Sequence, residues 1–333
     1  MTQHPQNKQQ KSANQPSHTA SDASLGSVQL SAALLMVRPA SFGFNPETAL
    51  SNAYQKQLQG IDPETIEQSA LQEFDQYVAT LRSVGIDVLV IQDRKEPVKP
   101  DAVFPNNWFC TLPGGQVILF PMLAANRREE KQDEILQQIK DHYKVSDFED
   151  WSEYEAENFF LEGTGSMIFD HPNKTVYACL SERTHKPLLE TFARAHGYRP
   201  VHFMATDAGG KAIYHTNVMM HIGATYAVIC LQSIRNQAER IRISQELTTS
   251  GHEIIDITLE QVKAFAGNML QVQNKSGLPY TLMSETAYQS LTPEQKHILQ
   301  IHSQLLPVAI PTIESVGGGS ARCMVAELFL SKK

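Results

Sequence analysis

GGGSARCMVAELFL, Gly317 to Leu330, decides how the chain is put together. Three glycines lead into one cysteine, and an apolar run of strand character follows. The run has no helix after it. At the other end of the chain, SAALLMVRP (31–39) supplies a strand and AYQKQLQGIDPETIEQSALQEFDQYVATLRSVG (53–85) supplies a helix. The last unit of the sequence is therefore expected to be completed by the first, closing a ring.

Working outward, the same unit recurs. Five extended apolar runs, IDVLVIQD (86–93), HYKVSDF (142–148), RPVHFMAT (199–206), HEIIDIT (252–258) and LPVAIPTIE (306–314), start 56, 57, 53 and 54 residues apart. Between them lie hairpins: WFCTL turns through Pro113-Gly114-Gly115 into QVILFPM, GSMIFD through His171 to Lys174 into TVYACL, VMMHI at Gly223 into TYAVICL, and MLQVQ through Asn274 to Gly277 into LPYTLMS. Gly, Asn and Pro supply the turns, and β-branched or aromatic residues fill the arms. Helical patterns follow in REEKQDEILQQIKDHY, KPLLETFARAHG, NQAERIRISQELTTSG and LTPEQKHILQIHSQ, the last opening on Thr292-Pro293-Glu294. Order and spacing together give an α/β chain of repeated ββαβ units of about 55 residues.

Composition bounds the rest. The chain has 333 residues, 41% hydrophobic and 19% charged, with a net charge of −8. That fits a folded protein of one or two domains and gives no basic surface for nucleic acid. Residues 1–27, rich in Gln, Asn and Ser, read as a disordered tail, leaving 28–333 as a single catalytic domain. The tail has neither the apolar stretch of a secretory signal nor the arginines of a mitochondrial presequence, and no run reaches a membrane span of roughly 18 residues. Cys110, Cys179, Cys230 and Cys323 form no C-x-x-C pair, so a reducing cytoplasm is expected. A homo-oligomer is allowed.

The loops before the hairpins hold the chemistry. The first carries Asp101, Asn106 and Asn107, the second Glu162, the third His215 and Asn217, the fourth Asn268 and the fifth Cys323. Around a common axis these residues form one polar cluster. A cysteine with a histidine suggests a thiol nucleophile and its acid/base partner, with Glu162 orienting the imidazole or holding a substrate N–H. Gly317 to Gly319 allow close backbone approach and positive φ. Cys110, Cys179 and Cys230 lie in apolar runs and read as core, as does His221. GTGSMI and GGGSAR lack the remaining positions of a phosphate loop, and no H-E-x-x-H occurs, so neither a nucleotide nor zinc is expected.

In chain order, RPASFGFN, DAVFPNNWF, FLEGTGSMIFD, LSERTH, YHTNVMMHIG and GGGSARCMVAE resemble the guanidino-group-modifying superfamily of arginine deiminases, dimethylarginine dimethylaminohydrolases and amidinotransferases. The resemblance spans about residues 30 to 330 and is nearest to the bacterial citrulline-utilisation hydrolases, or citrulline ureidases. It implies a five-bladed, pseudo-symmetric α/β propeller, the pentein fold. It implies Cys323 as nucleophile, His215 as general acid/base and Glu162 as the carboxylate of the E-G-G-D motif. Arg183 would bind the substrate α-carboxylate, Asp101 the α-amino group, and Arg127 would be a second carboxylate ligand unless it is merely a solvated helix-start charge.

Departures from the family pattern bear on the substrate. Where deiminases carry F-x-R-D, this chain has Phe104-Pro105-Asn106-Asn107; where they carry H-x-D, it has His215-Thr216-Asn217; and E-G-G-D has become Glu162-Gly163-Thr164-Gly165. A buried guanidinium offers only donors and calls for carboxylates, whereas a ureido group is neutral and offers one acceptor and several donors. Asparagines at both grips therefore point to citrulline. The expected reaction is attack of Cys323 on the ureido carbon, with backbone N–H groups near Gly317–Gly319, or the Asn107 or Asn217 amide, holding the oxyanion. His215 protonates the departing ornithine, and water releases the S-carbamoyl group as carbamate, then CO2 and ammonia; no metal or organic cofactor is required. Alternatives are a deiminase or dimethylaminohydrolase in which other groups compensate for the asparagines, an amidinotransferase, and a non-catalytic propeller binding protein.

Overall fold

A computed structural model describes residues 28–333, so the expected tail at 1–27 lies outside the described residues. The fold is α/β. Among the described residues there are five three-stranded sheets and one two-stranded pair. In four of the large sheets a hairpin is followed by a helix and then by a third strand, parallel to the second arm: 109–112, 116–119 and 147–150; 168–170, 175–179 and 199–203; 220–222, 226–229 and 253–256; 270–273, 279–284 and 304–308. The fifth joins the two ends of the chain. Ala326–Glu327 runs antiparallel to Ala33–Arg38, which runs parallel to Asp87–Gln92.

Local chemistry explains the boundaries. The helix Pro63–Ser83 begins where the Asp62 side chain accepts from Thr65 N–H, with Pro63 in the first turn, and Gly85 at φ +81 follows its end. It buries Ala70, Phe74, Tyr77, Val78 and Leu81, one stripe at helical spacing. Burying a side chain such as Phe74 contributes roughly 1.5–3 kcal/mol. The expected helix over 53–85 is thus shortened, because the helix starts only at the Asp62 cap and Gly60, at φ +78, sits in a turn before it.

Two further boundaries differ from expectation. HYKVSDF divides: Tyr143–Lys144 pairs with Ser331–Lys332, and only Asp147–Asp150 joins the large sheet. LPVAIPTIE supplies strand only to Val308; after Pro311, which lacks an N–H for a ladder, Ile313–Gly317 forms a single π turn. No described helix is long and apolar enough to cross a membrane.

The loops before the hairpins meet side by side. Asn106 Nδ2 donates to Thr164 Oγ1 at 3.3 Å, Thr216 Oγ1 to the Ser166 carbonyl at 2.6 Å, and Asn268 Nδ2 to the Asn217 carbonyl at 2.9 Å. Arg322 N–H donates to Asn268 Oδ1 at 3.1 Å. Close packing requires glycine here. A Cβ on Gly163 would stand 2.4 Å from the Asn106 carbonyl oxygen, and one on Gly267 2.4 Å from that of Val218.

Candidate active site

Cys323 follows the tight turn that succeeds the three glycines, its N–H donating to the Ser320 carbonyl at 2.9 Å. Gly318 has φ +63 and caps the π turn; a Cβ on Gly317 or Gly319 would strike the Phe104 ring at 2.8–2.9 Å. The glycines thus serve close packing of Phe104 against the backbone that precedes the thiol. Two amides reach the sulfur, Asn268 Nδ2 at 3.2 Å and Asn217 Nδ2 at 3.5 Å. Phe265, with φ +61, an uncommon conformation for a bulky residue, turns the chain and accepts the Asn268 N–H at 2.8 Å.

His215 is buried, and its Nε2 lies 2.8 Å from Glu162 Oε2. Burial holds the imidazole down, to about 4, despite the opposing pull of Glu162, so the resting ring is neutral at pH 7. The other oxygen of Glu162 accepts the Leu123 N–H at 3.0 Å, and Arg183 Nη1 stands 3.3 Å from Oε2. Burial pushes the Glu162 carboxyl up, but Arg183, His215 and Arg127 together outweigh it and hold the group at about 2. With Nε2 engaged, Nδ1 is the nitrogen left to exchange a proton, and it borders Gly165, where a Cβ would come within 2.8 Å.

One small cavity of about 20 Å³ is lined by Asp101, Asn107, Arg127, Arg183, His215, Gly317–Gly319 and Cys323, together with Thr48, Asn52, Phe104 and Tyr214. Of the residues singled out in the sequence, Asn217 and Asn268 stand behind the sulfur rather than on this wall, and Glu162 stands behind His215. Arg127 is not a solvated charge. It is buried, and its guanidinium meets Glu130 at 2.8 Å through Nε and 2.8 Å through Nη2. Burial raises the Glu130 carboxyl to about 7 even beside that arginine.

Sequence reasoning missed the segment that covers Asp101 and Arg183. Asn45 Nδ2 and Thr48 Oγ1 donate to Asp101 Oδ2 at 2.7 and 2.9 Å, and Gln55 Nε2 reaches Oδ1 at 3.5 Å. Ser51 Oγ accepts from Arg183 Nη2 at 2.6 Å, the Thr48 carbonyl accepts from the same nitrogen at 3.2 Å, and Asn52 Nδ2 donates to the Gly318 carbonyl at 3.1 Å. Tyr214 packs its ring under Arg183 (4.9 Å) and donates its hydroxyl to the Gly318 carbonyl at 3.0 Å. Asn45, the last residue of RPASFGFN, followed by Pro46, forms a helix-start pair and was the available signal for this segment.

The other cysteines are core. Cys110, Cys179 and Cys230 are buried, and burial raises all three thiols, Cys179 to about 12. His221 is buried in its strand against the Tyr226 hydroxyl at 3.0 Å.

The family model described as N,N dimethylarginine dimethylhydrolase, eukaryotic, matches residues 38–330. No curated protein matches the chain. Among solved structures, the apo structure of ArgZ, an arginine dihydrolase from the ornithine–ammonia cycle in Cyanobacteria, is 15% identical with a TM-score of 0.68; the match covers 89% of this chain and 40% of ArgZ. This chain therefore spans about 40% of the full-length dihydrolase. The substrate-bound N-terminal domain of ArgZ is also 15% identical, with a TM-score of 0.68, covering 89% of this chain and 97% of that domain. A dimethylarginine dimethylaminohydrolase adduct with S-methyl-L-thiocitrulline is 14% identical, with a TM-score of 0.59, covering 89% and 98%. At these identities the likeness speaks to fold.

Proposed function

Because this chain belongs to the N,N dimethylarginine dimethylhydrolase family, we propose that it is a cysteine hydrolase of that class, acting on the ureido group of citrulline to give ornithine, CO2 and ammonia. One observation carries the substrate reading. Asn107 Nδ2 and Asn217 Oδ1 are buried polar atoms with no hydrogen-bond partner among the described residues. One is a donor and the other an acceptor, and neither is charged. A ureido group offers an oxygen to the first and an N–H to the second; leaving either buried and unmade costs about 1–3 kcal/mol. Of the carboxylates nearby, Glu162 is engaged by His215 and Arg183 and Glu130 by Arg127, while Asp101 is assigned to the α-amino group. A guanidinium would find no free anion at the reacting end.

The steps follow from the neutral resting state of His215. The imidazole takes the thiol proton as Cys323 sulfur bonds to the ureido carbon, forming a tetrahedral adduct whose oxyanion faces the Asn107 amide. The imidazolium, steadied by Glu162, then returns that proton to the departing nitrogen, and the C–N bond breaks to release ornithine. Cys323 holds an S-carbamoyl group. Neutral His215 next deprotonates water, which displaces the sulfur and regenerates the thiol; carbamate breaks down to CO2 and ammonia. Arg183 receives the α-carboxylate, and Asp101, whose Oδ1 keeps only the 3.5 Å contact to Gln55, receives the α-amino group. The cavity holds about 20 Å³, so admitting a substrate calls for movement of the segment 45–55.

The same reading takes the five sheets as blades of a closed propeller in one domain, 28–333, acting in the cytoplasm on a free amino acid without cofactor, metal or nucleic acid. Arginine is the second substrate to test, given the fold shared with an arginine dihydrolase. The test is product analysis after separate incubation with L-citrulline, L-arginine and dimethylarginine. Ornithine from citrulline is expected; citrulline accumulating from either guanidino substrate, with added citrulline left intact, would sink the assignment.

A further inference from the structure

Arg127 and Glu130 face the same asparagine from behind. The Arg127 guanidinium is bound to both oxygens of Glu130, and its Nη1 donates to Asn107 Oδ1 at 2.7 Å. Its Nη2 also donates to the carbonyls of Phe104 at 3.0 Å and Asp101 at 3.4 Å. Asn107, Arg127 and Glu130 are each at most 3% exposed. A guanidinium has donors and no acceptor, so it accommodates only the oxygen end of an amide. The NH₂ end of Asn107 is therefore turned the other way, unpartnered, beside His215: a Cβ on Gly165 would stand 2.5 Å from Asn107 Nδ2 and 2.8 Å from His215 Nδ1.

We propose that Arg127 and Glu130 are positioning residues that lock the Asn107 amide with its NH₂ toward the reacting group, and that this lock makes the site select a neutral, carbonyl-bearing group over a cationic one. The proposal rests on the ureido reading above and adds its physical cause. An asparagine alone does not discriminate, because a half-turn about its last bond exchanges donor for acceptor and would present an oxygen to a guanidinium. With Arg127 behind it, that turn sets NH₂ against a donor-only cation and forfeits a charge-assisted hydrogen bond. Glu130 holds the fork in place and compensates its charge. Lysine cannot replace it, since a compact ammonium does not make the paired contact to Glu130 while reaching Asn107. This assigns Arg127 work other than holding the substrate carboxylate.

The test is a double-mutant cycle. Steady-state kcat and KM for L-citrulline and L-arginine are measured for the wild type, Arg127→Lys, Asn107→Ala and the double variant, with circular dichroism and thermal melts to verify folding. Arg127→Lys is expected to lower kcat/KM for citrulline by roughly 10- to 100-fold, mostly in kcat, and to reduce the citrulline-to-arginine ratio about tenfold or more. In the Asn107→Ala background the same change should cost less than about threefold, because nothing is left to lock. Equal losses in both backgrounds, or a rise in KM for both substrates at an unchanged ratio, would overturn the lock. If Arg127→Lys does not fold, Glu130→Gln, which keeps the shape and weakens the fork, carries the same cycle. If the wild type turns over arginine and not citrulline, the ureido reading fails and the selectivity assigned to the lock is overturned with it; the cycle read on arginine then separates the positional part, which coupling supports and additivity overturns.

Discussion

At one end of the cavity Asp101 and Arg183 are charged and engaged by Asn45, Thr48, Ser51 and Gln55. At the other end Asn107 on the wall and Asn217 behind the sulfur are neutral, and each keeps one atom without a partner among the described residues. The charged end is satisfied by the segment 45–55; on the proposed reading that segment moves and releases these groups to the amino-acid head of a substrate. The neutral end is built from loops that are hydrogen-bonded side by side and closely packed at Gly163 and Gly267. Its unmade hydrogen bonds remain available to a ligand, which is what preorganisation for a neutral group requires.

The largest effect should come at the sulfur. Cys323→Ala is expected to reduce turnover by about 10⁴-fold or more while citrulline still binds, since the covalent step is lost and the cradle is not; calorimetric titration beside the activity assay checks both halves. Next comes the imidazole. Glu162→Gln should lower kcat by roughly 10²- to 10³-fold. It should also move the acid limb of kcat/KM downward, because Glu162 pulls the His215 proton affinity up. In the wild type that limb should fall near pH 4, with activity nearly level between pH 7 and 5.5. A half-loss near 6.5 would mean that His215 is not held neutral by burial.

At the charged end, Arg183→Ala should act mainly on KM, by about 10- to 100-fold, and Ser51→Ala by about two- to fivefold, a difference steady-state kinetics resolves. The smallest effect concerns stability. Glu162 lies below its ordinary 4.5, so its contribution is full above that value and is lost as pH falls toward 2. His215 lies below its ordinary 6.5, so it costs stability as pH falls from 6.5 toward 4. Glu130 is raised by burial and works the other way, its ionisation costing stability as pH rises from 4.5 toward 7 while the ion pair with Arg127 opposes that cost. Melting curves of wild type and Glu130→Gln should therefore diverge most between pH 4.5 and 7.

What could be read in the sequence was whatever is local. The hairpins announced themselves through Pro113-Gly114-Gly115 and Asn274 to Gly277, and the fixed spacing placed the five loops in one cluster. Strand ends near proline were less legible, as the run after Val308 shows: apolar content continues, but the backbone hydrogen bonds do not. Partnerships across loops were the hardest. Nothing in the periodicity links Asn45 to Asp101 or Ser51 to Arg183, because those bonds join segments 56 and 132 residues apart. Arg127 and Glu130, three residues apart, did offer a local signal, an ion pair at helical spacing.

On the proposed reading, the reacting end of the cavity is a neutral cradle. This is tested most directly by kcat/KM for L-citrulline and L-arginine, measured side by side on the wild type and on Asn107→Asp combined with Asn217→Asp. The wild type is expected to favour citrulline, and the paired substitution to shift the ratio toward arginine by about 10²-fold or more. A wild type that favours arginine, or a ratio unmoved by the two new carboxylates, would contradict it.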